Sequence, residues 1–238
     1  MNNRSTILVM GNGPSLKHID FNKLKDIDTF GINSAYRAYY RMNWWPTYHG
    51  CFDYRVTESH KEEFKKLTLG NNSIKRFFYL QKVSDSERLT KITLNRSSGN
   101  FSQGPIWQNS EADFDKFNDG GNSGVNACRV SVCMGYKKII LAGVDCNYQE
   151  IIDGASLKKT GTSDFLQMEK TPEVNPNYWF DDYQQKGDIF NVPRTNVFQR
   201  PGWETLSRQA KNEGIEIINC SKGTKLTCFP IKDIEEVI

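Results

Sequence analysis

Two stretches of this chain set glycine and small polar residues directly ahead of a helix, where unpaired backbone N–H groups can hold an anion. The first is Gly11-Asn12-Gly13-Pro14-Ser15-Leu16; the second runs from Gly120 through Asn122, Ser123 and Gly124. In the first, two glycines permit a turn that residues with a Cβ resist. Pro14 has no N–H to lose and sets φ for a first helical turn. Ser15 either caps the next helical turn or offers its hydroxyl to an anion. The stretch is not G-x-G-x-x-G, since Leu16 stands in place of the third glycine, and no G-K-[ST] comes after it to make it a P-loop. A tight strand-to-helix connection without a ligand is the plain alternative. Two such seats in one sheet favour a bound nucleotide more than either does alone.

Polar residues also fall where apolar runs end. Asn33 ends the second run and either caps the next helix or supplies a ligand for a base or ribose. Asp53 ends the third, as a cap for a helix over 56–66 or as an acceptor for a hydroxyl-rich ligand. Asp145 closes Gly143-Val144-Asp145. Between Asn175 and Tyr183, aromatic side chains stand beside Asp181 and Asp182. That combination lines sugar and base pockets, and equally fastens a loop to a core. His49 lies inside an expected strand and reads as packed; His60 lies mid-helix among charges and reads as solvent-facing.

The elements that position these residues alternate along the chain. Apolar runs over 5–10, 28–33, 46–52, 75–80, 137–145 and 214–220 read as strands, and the first and fifth have the unbroken apolar character of a parallel sheet buried on both faces. Helices are expected over 18–24, 35–42, 56–66, 127–134, 201–212 and the tail 231–238. This is the pattern of a Rossmann-like, doubly wound α/β fold in a single domain over 1–238. Periodicity fails over 81–119 and again over 147–176. Both read as long loop insertions forming a lid over the carboxyl edge of the sheet.

The chain has 238 residues, with 31 basic and 28 acidic side chains giving +3, too weak a field to imply a nucleic-acid partner. Six cysteines without a C-x-x-C pair, and three histidines without ligand-like spacing, point to buried reduced thiols rather than a metal site. No stretch approaches the roughly 18 apolar residues of a membrane span, and no signal-peptide core opens the chain. The expected location is cytoplasmic, with peripheral membrane contact and homo-oligomerisation left open.

The strand and Gly11–Leu16 turn, Asn33, the Ser123-Gly124-Val125 start of a helix, Gly135-Tyr136-Lys137 and Gly143-Val144-Asp145 together resemble bacterial sialyltransferases of glycosyltransferase family 42. They also resemble the related domain of flagellin glycosyltransferases and of 6-hydroxymethylpterin diphosphokinase-like proteins. The resemblance covers about two thirds of the chain and implies that Gly11, Asn12, Gly13 and Asn33 hold the cytidine nucleotide of a CMP-sugar. Asn122, Ser123 and Gly124 would contact it too. Asp53 stands where that family tends to place an Asn. Tyrosines after the Gly-x-Asp strand steady the departing phosphate in the family; Tyr148 is nearest here, with Tyr178 and Tyr183 as alternatives. The family's basic histidine ahead of the last long helix has no counterpart, since Val197-Phe198-Gln199-Arg200-Pro201 occupies that place. Asp181, Asp182 or His49 would then take its role.

The resemblance implies a metal-independent glycosyltransferase that moves sialic acid or a related nonulosonic acid from a CMP donor to a glycan or protein acceptor, without a resident cofactor, in the making of a bacterial surface glycan. Two alternatives stand beside it. One is a Mg²⁺-dependent diphosphokinase acting with ATP on a pterin-like alcohol, its metal held by Asp181 and Asp182 with Asp53 or Asp145. The other is a nucleotide-binding protein without catalysis.

Overall fold

A computed structural model of the chain describes residues 6–95, 107–161, 163–194 and 199–238. Part of the 81–119 stretch and the Val197-Phe198 pair lie outside the described residues. Seven parallel strands form the main sheet: β1 (Thr6–Met10), β2 (Asp28–Ile32), β3 (Tyr48–Cys51), β4 (Arg76–Tyr79), β5 (Leu89–Lys91), β8 (Lys138–Ala142) and β12 (Glu216–Asn219). Two short strands, β6 (Leu94–Asn95) and β7 (Phe117–Asn118), pair with each other, and β9 (Ala155–Thr160), β10 (Ser163–Met168) and β11 (Ile189–Phe190) form a third sheet. The order across the main sheet is β12-β8-β1-β2-β3-β4-β5, so the chain reverses direction between β1 and β8. In open α/β sheets a crevice forms at such a reversal, outside the carboxyl ends of the strands.

Alternation along the strands builds the two faces. Ile7 and Val9 face α4 (Ser123–Cys133) and α5 (Arg200–Asn212), in one core with Val125, Val130, Trp203 and Leu206. Leu8 and Met10 face the other side, against Leu16, Leu24 and Ile140. On that same side α1 (Tyr36–Met42), α2 (Tyr54–Ser59) and α3 (Lys61–Leu69) cover Phe77 and Tyr79. Helices on both faces of a parallel sheet make the fold doubly wound and Rossmann-like.

Several elements differ from expectation. In place of a helix over 18–24, residues 14–24 form two 3₁₀ turns, Pro14–His18 and Phe21–Leu24, and the tail forms one, Ile234–Glu236. The helix over 56–66 is broken at His60 (φ −108°, ψ 22°), whose side chain is drawn inward. The segment 81–119 is not one long loop: β5 extends the main sheet, β6 pairs with β7, and Phe114 and Phe117 (the first residue of β7) are buried in the core. The segment 147–176 carries an antiparallel hairpin, β9–β10, joined by β11. No residue of β9 is buried, and among the described residues of β10 only Leu166 and Met168 are fully buried, too few to register as a strand signal. Both insertions nevertheless reach the carboxyl edge. No helix among the described residues is long and apolar enough to cross a membrane, and the six cysteines are unpaired.

Candidate functional site

A cavity of about 610 Å³ opens at the carboxyl edge, over the reversal between β1 and β8. Its floor begins with Gly11 and Asn12. The turn that carries them is closed by the end of β8: Gly11 N–H donates to Ala142 O (2.7 Å) and Gly13 N–H to Gly143 O (2.8 Å). A Cβ on Gly11 would lie 2.2 Å from Gly143 O, and one on Gly13 would lie 2.5 Å from Asp145 Oδ2. Both glycines are therefore required by close approach of a neighbouring loop. Ser15 N–H donates to Asp145 Oδ2 (2.8 Å) and its hydroxyl to Asp145 Oδ1. Of this turn's N–H groups, only that of Asn12 has no acceptor among the described residues, so the turn is not the open anion seat its glycines imply. Gly13 and Ser15 lie behind the cavity wall, while Asp145 is part of it.

The second turn behaves differently. Gly120 N–H and Gly121 N–H are used on Asn126 Oδ1 (2.8 Å) and Asp119 Oδ1 (2.9 Å). Asn122 caps α4, its Oδ1 accepting from Val125 N–H (2.9 Å). The N–H groups of Ser123 and Gly124 have no acceptor among the described residues, and Asn122, Ser123 and Gly124 all line the cavity. The free end of an eleven-residue helix thus faces the cavity with its positive partial charge.

Two carboxamides of the cavity lining carry buried oxygens without a partner. Asn12 Nδ2 donates to Ile32 O (3.1 Å) and Tyr183 OH (3.0 Å), leaving Oδ1 buried without a partner. Asn33 does not cap a helix; it sits at φ 55° and opens a 3₁₀ turn, Asn33–Ala35. Asn tolerates this left-handed conformation better than most residues. His49 holds it there, Nε2–H donating to Asn33 O (3.0 Å) while Nδ1 meets Tyr79 OH (2.9 Å). Burial pushes the His49 pKa down to about 3 against the pull of that carbonyl, so the ring is neutral and structural. Asn33 Oδ1 is also buried and unpartnered. Buried acceptors without donors are rare in folded proteins, and two of them belong to residues of this one cavity wall.

Asp53 both caps α2 and lines the cavity. Its Oδ1 accepts from Arg55 N–H (2.9 Å), Val56 N–H (3.3 Å) and Asn191 Nδ2 (2.8 Å). Burial raises its pKa, opposed by these same hydrogen bonds. The aromatic wall is Tyr183 stacked on Tyr178 at 3.8 Å, with Tyr148 edge-on to Tyr178 at 6.1 Å. Burial pushes all three phenols up, keeping them protonated and able to donate. Tyr183 OH accepts from Asn12 and from Ser34 N–H (3.2 Å), and Trp179 N–H donates to Asn12 O (3.1 Å), which ties the aromatic segment to the first turn.

Most of the residues singled out in sequence thus meet at this cavity: Gly11, Asn12, Asn33, Asp53, Asn122, Ser123, Gly124, Asp145, Tyr148, Tyr178 and Tyr183. Asp181 and Asp182 do not. Asp181 accepts from Asn175 N–H (3.1 Å), and Asp182 pairs with Arg41 (2.8 Å) on the outer surface. Their side chains are spent on the turn that presents Tyr183. Sequence reasoning missed Ser34, His60, Asp188 and Arg194 on the wall. The placement of His60 in solvent is corrected: it is 2% exposed, with Nε2 3.2 Å from Asp188 Oδ1. A histidine among charged neighbours gives no local sign that a distant carboxylate will receive it. Among the described residues, no group of three or more His, Cys, Asp or Glu side chains is placed to hold a metal ion.

No family model and no curated protein matches the chain. Among solved structures, the sialyltransferase CstII from Campylobacter jejuni in complex with CMP-3FNeuAc superposes with a TM-score of 0.51 at 17% identity, over 95% of this chain and 85% of that one. A CST-II variant in complex with CMP superposes at 0.53, with 18% identity and the same coverage. The Maf glycosyltransferase from Magnetospirillum magneticum AMB-1 superposes at 0.52 with 12% identity, over 99% of this chain and 34% of that one. The chain has the fold of these glycosyltransferases. The sialyltransferase-like, Rossmann-like architecture expected from the turns and strand ends is the one observed, and the chain spans about a third of the Maf protein.

Proposed function

We propose that the protein is a glycosyltransferase that moves a sugar from a nucleotide donor to a glycan or protein acceptor. The donor class is a CMP-linked nonulosonic acid such as sialic acid, used without a metal ion. The observation that carries this reading is the pair of buried, unpartnered oxygens, Asn12 Oδ1 and Asn33 Oδ1, beside the open N-terminus of α4. They are acceptors placed for the amine and hydroxyl donors of a nucleoside, next to a seat for its phosphate. The shared fold adds support, since two of the superposed sialyltransferases hold CMP or a CMP-sugar analogue.

In this reading Ser123 N–H and Gly124 N–H hold the phosphate. The hydroxyls of Tyr148, Tyr178 and Tyr183, kept protonated by burial, donate to the oxygen that leaves with it. Donors fixed in a water-poor cavity stabilise charge that develops as the bond breaks. Asp53 accepts hydroxyl groups of the nucleoside or sugar. The acceptor glycan would be one assembled for the cell surface from the cytoplasmic side.

Thermal stability in the presence of CMP, CDP, UDP, GDP and ATP, each with and without Mg²⁺, tests this. A ligand that prefers the native state at 100 times its Kd adds about 2.7 kcal/mol of stability. The expected result is stabilisation by CMP without metal, together with CMP release from CMP-sialic acid. Stabilisation only by ATP with Mg²⁺ would overturn the reading in favour of a diphosphokinase.

A further inference from the structure

Ser34, His60 and Asp188 come from three separate elements and converge on the cavity wall. His60 stands at the break between α2 and α3, with Nε2 3.2 Å from Asp188 Oδ1. Its Nδ1 lies 3.2 Å from Tyr36 OH and 3.5 Å from Ser34 Oγ. Asp188 is itself held by Arg37, whose Nη2 donates to Oδ1 (2.9 Å) and Nη1 to Oδ2 (2.5 Å), and by Gln185 N–H (2.7 Å). Burial alone would raise the Asp188 carboxyl, but Arg37 and His60 outweigh it and hold it well below the usual carboxylate range. The charged and titratable groups around the ring are therefore Asp188, Arg37 and Tyr36, with Glu63 one turn along α3 acting on Tyr36.

An ionised carboxylate offers only acceptors, so the ring nitrogen facing it carries a proton. In the neutral ring the lone pair is then on Nδ1, and the two groups facing that lone pair are hydroxyls. Of these two, Tyr36 is absent from the cavity wall and Ser34 is on it. A base whose far nitrogen is oriented by a carboxylate, and whose near nitrogen faces a hydroxyl in a cavity, has the arrangement that proton abstraction requires.

We propose that His60, oriented by Asp188, takes up the proton of the acceptor hydroxyl by way of Ser34. The proposal rests on the glycosyltransferase reading. The acceptor O–H passes its proton to Ser34 Oγ while Ser34 passes its own to His60 Nδ1. The lone pair of the acceptor oxygen forms the new bond to the anomeric carbon. The bond from that carbon to the phosphate oxygen breaks, and its electron pair departs on the phosphate. His60 ends as an imidazolium against the Asp188 carboxylate. Ser34 touches the substrate, and His60 and Asp188 act through it.

Two measurements decide the matter. Long-range ¹H–¹⁵N spectra resolve the tautomers of the chain's three imidazoles, His18, His49 and His60. The expected His60 form at the pH of activity is neutral with its proton on Nε2. A proton on Nδ1, or a ring doubly protonated throughout that range, overturns the proposal whether or not a donor is found. In transfer assays, Ser34→Ala and His60→Gln should each lower kcat by about 100-fold or more, with KM for the donor and CMP binding retained. Asp188→Asn should alter the acidic limb of the pH–rate profile, and Tyr36→Phe should leave that limb in place. Full kcat in His60→Gln, with active wild-type protein, sinks this proposal alone. Wild-type protein inert toward every nucleotide sugar sinks the glycosyltransferase reading instead.

Discussion

At Gly11–Ser15 the backbone turns onto the loop after β8, while at Asp119–Gly124 it packs against the start of α5 and leaves the first N–H groups of α4 facing the cavity. Both stretches contain glycines and a small polar cap ahead of a helical turn. In the first, Gly11, Gly13 and Ser15 spend their N–H groups on Ala142, Gly143 and Asp145. In the second, Ser123 and Gly124 keep theirs for the cavity. The difference lies in what stands next door. The first turn sits at the sheet reversal, where the ends of β1 and β8 run side by side, so its glycines serve contact between two loops. The second stands ahead of α4, where Gly202 and Trp203 of α5 pack on Gly120 and Gly124 without taking the N–H groups of Ser123 and Gly124. A glycine-rich turn thus has two physical uses, and the hydrogen-bond acceptors of the neighbouring segment decide which.

The sharpest way to break this comparison is Gly11→Ala. The added methyl would lie 2.2 Å from Gly143 O, a backbone atom fixed by its bond from Gly13 N–H (2.8 Å). Neither loop can retreat without losing hydrogen bonds at the centre of the sheet. We expect a loss of about 3 kcal/mol or more, at the upper end for overpacking, read as a lower urea midpoint with no ligand present. Wild-type stability in this variant would mean that the two loops are not locked together.

Ser123→Pro probes the open seat in the opposite sense. Ser123 is the first residue of α4, where proline is tolerated because its missing N–H would have no helical partner. Asn122 before it is already extended at φ −157° and ψ 162°, the conformation a following proline favours. The fold should therefore keep its stability. A charged ligand would lose one hydrogen bond, worth about 1.5–3 kcal/mol, so CMP affinity measured by calorimetry should fall about 10- to 100-fold. An unchanged CMP affinity would remove α4 from the site.

The same contrast explains what could be read in advance. The parallel strands were legible because Ile7-Leu8-Val9 and Ile139-Ile140-Leu141 are apolar on both faces, and a run of that kind has few other places to go. Asn33 and Asp53 were legible as strand-end residues for a related reason, since the carboxyl edge of such a sheet is where side chains meet a ligand. The hairpin β9–β10 was hidden because its core side reduces to Leu166 and Met168. The inward turn of His60 was hidden because its cause, Asp188 gripped by Arg37, lies far away in sequence. Asp181 and Asp182 misled because carboxylates beside aromatics look alike whether they face a sugar or, as Asp182 does, an arginine on the outer surface.

The smallest effect should come from Ser15→Ala. Loss of the hydroxyl leaves Asp145 Oδ1 without its donor, while Oδ2 keeps the bond from the residue 15 N–H (2.8 Å). The site is partly buried, so water can replace part of what is lost, and the expected destabilisation is about 1 kcal/mol. CMP affinity should stay within about twofold of wild type, because that hydroxyl faces the loop behind the wall and a change of about 1.4 kcal/mol would be needed for tenfold. The pair of variants then separates the two turns cleanly: Ser123→Pro loses affinity and keeps stability, and Ser15→Ala does the reverse. Should Ser15→Ala lose as much CMP affinity as Ser123→Pro, Asp145 would be holding the ligand through Ser15, and both turns would have to be counted as one seat.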